Sequence, residues 1–391
     1  METGRRWARF LVANELLTTP GTPQAKAASE GYKERYDAYV ARLTALAENI
    51  TYDKAERDPI IEVQTHMGNY IRLAQQARDL KAQGNQQAAM LSTYQDAMAL
   101  MDDKLLPQID QLSKVNKQEM DKQIAGDRSG FLQLQVMVIG LLLVATLVAL
   151  QLYLVQRTKR QFNPALIAAT SIAGLFLLHS ALALGKASGE LKVMRDDAFP
   201  SLYSIRKARS LSYQANADES RYLLDKTNAA THEDRFKQRV KDIMYIPRDL
   251  DLETINRKIN TNAKADLNRV KGLVAGAVSN VTFPGEGPAL IEALRAWQNY
   301  VDVDAKIREK ERSGDRQGAI NICLGESDDA YGVFKKKLEK VQVINEDAMK
   351  ESLDKSDRAL AYFEVQAAIA LLLVAGLTQY GLKARIKEYQ V

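Results

Sequence analysis

Three stretches of the chain run apolar without an internal Lys or Arg: Phe131 to Val155, Pro164 to Leu184 and Phe363 to Leu382. Each is long enough to cross about 30 Å of hydrocarbon at roughly 1.5 Å rise per residue, so each is predicted to be a transmembrane helix. Elsewhere the apolar positions recur at helical spacing. Leu105, Ile109, Leu112 and Met120 form such a stripe before the first span, and Leu338, Val341, Ala348 and Leu353 form one before the third. A stripe of this kind is the buried seam of a helical bundle. Asn116 and Asn345 fall on or beside it, and the blander expectation, a half-exposed polar residue, outweighs a buried register-fixing one. Gly84-Asn85 and Gly314-Asp315 punctuate the helical patterns as turns.

The basic residues decide orientation. Arg157, Lys159 and Arg160 lie between the first two spans, and Lys383, Arg385 and Lys387 follow the third. The positive-inside rule makes both groups cytoplasmic, with roles in topology or in contacting a cytoplasmic partner. The predicted order is then a first extracytoplasmic helical bundle over 1–130, a span over 131–155, a short basic loop over 156–163 and a span over 164–184. A second extracytoplasmic bundle over 185–362, a span over 363–382 and a basic tail over 383–391 complete it. The expected location is the bacterial inner membrane, multi-pass, with both large regions outside.

Sliding the sequence against itself by about 230 residues brings Ile61, Glu62, Asn69, Tyr70, Arg78, Gly84, Gln87 and Ala89 onto Ile291, Glu292, Asn299, Tyr300, Arg308, Gly314, Gln317 and Ala319. The match extends to Val115-Asn116 against Ile344-Asn345, and both copies then run into a span. A single bundle repeated in tandem is the reading. Leu16-Leu17 meet Leu223-Leu224 at a shift of about 207, which sets Met1 opposite Ala208, inside the counterpart's first long helix. METGRRWARF is neither a signal peptide nor a span. The first copy is therefore read as shortened at its N-terminus, lacking a span and half a helix, and four spans are expected in the intact protein. The fold class expected is all-α: two tandem antiparallel bundles of four-helix type with three spans in this chain.

Composition narrows the function. The 391 residues include only 9 Pro and 21 Gly, too little turn chemistry for a many-stranded sheet. A net charge of +5 over this length is too dilute for a nucleic-acid surface, because the basic residues cluster only beside the apolar runs. The single cysteine, Cys323, excludes an internal disulfide and multi-thiolate metal sites. His66, His179 and His232 stand far apart, in no metal-binding or triad spacing. No cofactor, no metal and no catalytic residue are expected.

The most polar helical piece is Asp197 to Asp225. Its Asn216, Asp218, Glu219 and Arg221 are the candidates for contact with a ligand or partner, weighed against an internal hydrogen-bond network, which is the more common outcome for such a cluster. The second copy is about 24 residues longer around Thr231 to Lys258, read as lengthening two bundle helices in preference to an interaction edge. His179 and Ser180 lie near the outer end of the second span, where snorkelling is at least as good a reading as function. The Asn49-Ile-Thr51 and Asn280-Val-Thr282 strings are read as helix caps. FPGEGP, Phe283 to Pro288, is a turn before a helix with Pro288 in its first turn. Paired acids such as Asp102-Asp103, Asp196-Asp197 and Asp328-Asp329 point apart on a helix and are read as surface charge.

The duplicated bundle, the basic loop ending in Phe162-Asn163-Pro164, and the strings Asp197-Ala-Phe199 and Ala215-Asn-Ala-Asp-Glu-Ser-Arg-Tyr-Leu-Leu224 resemble the bacterial GlnX-type membrane proteins. That resemblance implies four spans and a relay between a periplasmic amino-acid-binding lipoprotein and a cytoplasmic Ser/Thr protein kinase. More broadly the bundles resemble the four-helix sensor modules of chemoreceptors and sensor kinases, which commonly dimerise, so a homodimer is one expected state. The leading expectation is a non-enzymatic membrane sensor that passes a signal through continuous helices to a separate effector. The alternative is a structural scaffold whose bundles mediate assembly, and a direct amino-acid receptor would need a polar pocket near Asn216 and Arg221.

Overall fold

Runs with apolar positions at helical spacing fold as helices. The computed structural model describes residues 11–48, 54–125, 129–158, 163–247, 249–261 and 269–387, together with Ile50 and Leu267. Among these residues there is no strand, only one isolated antiparallel bridge, Tyr245 to Lys271. The fold is all-α.

The helices are α1 (Leu11–Leu17), α2 (Pro23–Glu48), α3 (Lys54–Ala82), α4 (Gln87–Leu100), α5 (Leu106–Ala125), α6 (Ser129–Thr158), α7 (Pro164–Val193), α8 (Phe199–Leu224), α9 (Ala229–Ile243) and α10 (Leu252–Asn260). They are followed by α11 (Leu273–Ser279), α12 (Glu286–Arg312), α13 (Arg316–Ile322), α14 (Asp328–Leu360) and α15 (Phe363–Lys387). Three π-helical turns, Met101–Leu105, Met194–Ala198 and Cys323–Ser327, join α4 to α5, α7 to α8 and α13 to α14 without breaking the helical run. Gly84 and Gly314 adopt left-handed φ of 77° and 83° and reverse the chain after α3 and α12, the conformation a helix C-terminus most readily gives to glycine.

The chain divides into two compact units. The first joins residues 1–122 to 199–346. One of its cores gathers Val12, Met67, Tyr70, Tyr94, Leu105 and Ile109. A second, richer in rings, gathers Ile205, Trp297, Tyr300, Tyr331, Phe334 and Val341, with Trp297 and Phe334 centroids 4.8 Å apart. The predicted stripes are buried at Leu105, Ile109 and Leu112 and at Leu338 and Val341. The second stripe ends there: Ala348 is half-buried and Leu353 is exposed. The side chains of Asn116 and Met120 lie outside the described residues. Asn345 departs from the half-exposed expectation. It is fully buried and donates to Glu286 Oε1 at 2.9 Å and to the Val341 carbonyl at 3.0 Å.

Two local expectations are corrected. The extra length after α8 lengthens no helix; it folds as the separate α9, α10 and α11. Nor do Asn280 and Thr282 cap α12. Gly285 is its N-cap residue, Pro288 sits in the first turn, and the Glu286 carboxylate accepts the Thr282 and Phe283 amides at 2.9 and 3.2 Å, a negative charge at the positive end of the helix. Asn49 and Thr51 lie outside the described residues.

The second unit comprises 123–198 and 347–391. Its α6, α7 and α15 are long and apolar enough to cross a membrane. Leu147, Ala169, Ala173 and Val374 pack where they meet. Gly140 of α6 packs against the Leu177 side chain of α7, which a β-carbon there would have to displace, the close contact small residues permit between spans. Ile139, Leu142, Leu175, Leu182 and Leu372 face outward, as side chains toward lipid do. Several polar side chains inside this unit find partners: Gln151 donates to Thr170 Oγ1 at 2.9 Å and Asn163 to the Gly381 carbonyl at 2.9 Å. His179 bonds Gln366 of α15 at 2.9 Å, and Ser180 is fully buried and donates to the Phe176 carbonyl. Ser180 is thus engaged inside the unit, whereas His179 stays exposed.

Helix continuity differs from expectation in one respect. From Pro164 to Leu224 the helix is unbroken, whereas α14 and α15 are separated by Ala361 and Tyr362, the latter at φ 60° and largely exposed. A non-glycine residue there holds a strained backbone.

Candidate functional site

The polar stretch of α8 lies in the interior of the first unit. Every residue from Ala215 to Leu223 is buried, so the helix has no solvent face and each polar side chain on it must be paired. The four candidates separate onto two sides.

Asp218 and Arg221 face one side. Arg221 is 1% exposed and its Nη1 lies 3.4 Å from both Asp218 Oδ1 and Asp102 Oδ2, while Nη2 lies 2.8 Å from Met98 Sδ. Asp218, fully buried, also pairs with Arg239 of α9, whose Nε donates to Gln214 at 3.1 Å. Arg235 adds a second cation 3.6 Å from Asp102. Burial works against the Arg221 cation, but Tyr94 and Asp102 outweigh it and hold its pKa above the ordinary value. Burial lowers that of Arg239. At the end of the helix Asp225 accepts from Gln95, Asn228 and His232 at 3.2, 2.9 and 3.3 Å. Burial opposes the Asp225 carboxylate, yet these bonds depress its pKa; burial lowers that of His232.

Asn216 and Glu219 face the other side. On this side burial pushes the Tyr300 hydroxyl well above its ordinary pKa. Glu219 accepts from Ser327 Oγ at 2.9 Å and lies 3.6 Å from Cys323 Sγ. Burial first, and the like charge of Asp304 second, push the Glu219 carboxyl well above the usual range. Asp304 is itself pushed up by burial, to about 6, against the pull of Arg308, which donates to it through Nε at 2.8 Å and Nη2 at 2.7 Å. The Arg308 guanidinium lies over the Tyr222 and Phe236 rings at 4.4 and 4.8 Å, a favourable setting for a desolvated cation.

The π-helical turns build this arrangement. One extra residue per turn rotates the following side chains, and such turns recur at functional positions. Met101–Leu105 brings Asp102 to Arg221, and Cys323–Ser327 brings Cys323 and Ser327 to Glu219. Asp102 is thus partly buried and ion-paired, a correction to its reading as surface charge. Asp328 and Asp329 are exposed as expected. Asp102, Cys323 and Ser327 sit on π-turns, which carry no periodicity in sequence, and Arg239 and His232 sit on α9, so sequence alone does not single them out as partners of α8.

A groove of about 230 Å³ lined by Asp102, Leu106, Pro107, Lys207 and Gln214 runs beside α8. None of Asn216, Asp218, Glu219 and Arg221 lines it. Among the described residues no group of acidic, His or Cys side chains is arranged to hold a metal. Of the basic candidates, Arg157 and Lys383 are exposed near the ends of α6 and α15. Lys159 and Arg160 lie outside the described residues, as do the side chains of Arg385 and Lys387.

Residues 8–125 match the family model of an actinobacterial sensor domain. That match covers α1 to α5, less than a third of the chain. No curated protein and no solved structure matches the chain. The sensor-domain match and three helices of membrane-spanning length and apolarity agree with a bacterial membrane sensor; neither supports the GlnX-type assignment.

Proposed function

We propose that this chain is an extracytoplasmic sensor and relay, in which a partner or ligand bound by the helical regions of the first unit biases their packing, and the bias passes along helices into the membrane. The observation that carries the reading is the unbroken helix from Pro164 to Leu224: the residues of a candidate span and the buried polar stretch of α8 belong to one element. A continuous helix is a route for a small shift or rotation, provided the ligand binds two packings unequally. In the same reading the first and second helical regions are copies of one module, both face the cell exterior, and the basic segments at Arg157 to Arg160 and Lys383 to Lys387 meet a cytoplasmic effector. Following the GlnX-type resemblance, the outer partner is a periplasmic amino-acid-binding protein and the effector a Ser/Thr kinase.

The test is co-purification of the detergent-solubilised chain with candidate solute-binding proteins, with and without amino acids. Capture that changes with ligand supports the relay. Capture indifferent to ligand supports the scaffold alternative instead.

A further inference from the structure

Between α9 and α12 the first unit carries an open groove of about 470 Å³, within the size range of small-molecule sites. Its floor is apolar: Phe236, Val240, Val301 and Ala305. Its charges are unequal, with Lys237, Lys241, Arg308 and Arg312 against Glu233 and Asp304, an excess of two positive charges. Both acids are already neutralised. Glu233 lies 2.7 Å from Lys237 and from Arg312, and Asp304 is held bidentately by Arg308.

Two cationic donors are left over. Lys241 is exposed and makes no ion pair among the described residues. Arg308 is 4% exposed, lines the groove, and its Nη1 is buried with no hydrogen-bond partner among the described residues. Since Nε and Nη2 face Asp304, the remaining edge of the planar guanidinium is the unpaired one. A buried donor without an acceptor is costly, and the acceptor that suits a guanidinium edge or a free ammonium is an anionic oxygen.

We propose that the groove between α9 and α12 binds a small organic carboxylate with an apolar body, the carboxylate meeting Arg308 Nη1 and Lys241 and the body lying on Phe236, Val240, Val301 and Ala305. This deepens the sensor reading by naming a ligand class for the second helical region, and rests on that reading only for its consequence. An acidic ligand with no apolar part would leave the floor uncovered; a neutral apolar one would leave Arg308 unpaired.

The experiment is a titration of the purified full chain in detergent with 3-phenylpropanoate, followed by calorimetry and saturation-transfer NMR, beside its neutral isostere 3-phenylpropanamide. The acid binds saturably and the amide at least about tenfold more weakly, a difference of ~1.4 kcal/mol. Ala305→Trp, at an exposed position, fills the groove and abolishes binding. Lys241→Glu weakens it by about tenfold, and both variants keep the wild-type melting temperature. Equal binding of acid and amide, undiminished binding to either variant, or no saturable binding of the acid overturns the proposal. The relay does not enter this measurement: partner capture without phenylpropanoate binding removes the groove alone, and binding without ligand-dependent capture removes the relay alone.

Discussion

Arg78 of the first helical region and Arg308 of the second occupy the same register, and each lies over an aromatic ring, Tyr32 at 4.0 Å in one case and Phe236 and Tyr222 in the other. Their acids come from different places. Arg78 Nε donates to Glu15 of α1 at 2.6 Å, tying two helices together, whereas Arg308 is held by Asp304 one turn earlier on its own helix. In the aligned register Glu15 stands opposite Tyr222, and Asp304 opposite Ala74. The first region thus commits its arginine to an interhelical ion pair with partial exposure, and the second buries its arginine among rings, held by an acid on its own helix. The same cation at the same place in a helix performs two jobs, decided by where the carboxylate is supplied.

Around these arginines the two regions keep similar interiors. Glu56 and Glu286, Tyr70 and Tyr300, and Leu112 and Val341 are buried at corresponding positions. The second region carries the heavier core, with Trp297 where the first has Met67 and Tyr331 where it has Met101. Aromatic side chains bury more surface and lock more firmly than the flexible thioethers they replace. The first region holds the softer packing.

The largest expected effect breaks the comparison at its buried end. Arg308→Ala leaves Asp304 enclosed with no cation and is expected to cost about 3–5 kcal/mol, read as a lowered unfolding temperature by circular dichroism of the full chain in detergent. Adding Asp304→Asn recovers much of that loss. Arg78→Ala is expected to cost less, about 1–3 kcal/mol, because Glu15 keeps access to water. Equal losses for the two single variants contradict the contrast drawn between them.

Glu219 sharpens it through pH. Its carboxyl titrates higher in the folded protein than in the unfolded chain, so the folded state holds the extra proton, and stability falls as pH climbs from about 4 toward the folded value. Glu219→Gln mimics the protonated form, accepts the Ser327 hydroxyl, and flattens that part of the pH profile. A profile unchanged by the substitution contradicts the account. Smallest is Asn163→Ala at the start of α7, where the side chain caps Ala165 N at 3.1 Å and donates to the Gly381 carbonyl; about 1 kcal/mol is expected.

Much of the fold was legible in sequence because helices and spans announce themselves by period and by length. Three apolar runs, the glycine turns at Gly84 and Gly314, and the stripes through Leu105 and Leu338 needed no knowledge of neighbours. The candidate site was legible only in part. Asn216, Asp218, Glu219 and Arg221 stood out as polar residues crowded on one helix, but their partners sit on π-turns and on α9, elements that leave no periodic trace. Asp102 was misjudged for that reason: on a regular helix it points away from its neighbour Asp103, and the turn rotates it onto Arg221. The short helices α9 to α11 were missed because an insertion changes length without showing how the added chain folds.

The central claim is that both helical regions face the cell exterior while the basic segments face inward. Gln87→Cys and Gln317→Cys place single exposed thiols at matching positions, and Cys323 is buried. With a membrane-impermeant maleimide on intact cells, the account predicts labelling at both positions, and labelling of Arg157→Cys and Lys383→Cys only after permeabilisation. Protection of 87 or 317 in intact cells, or labelling of 157 without permeabilisation, contradicts it.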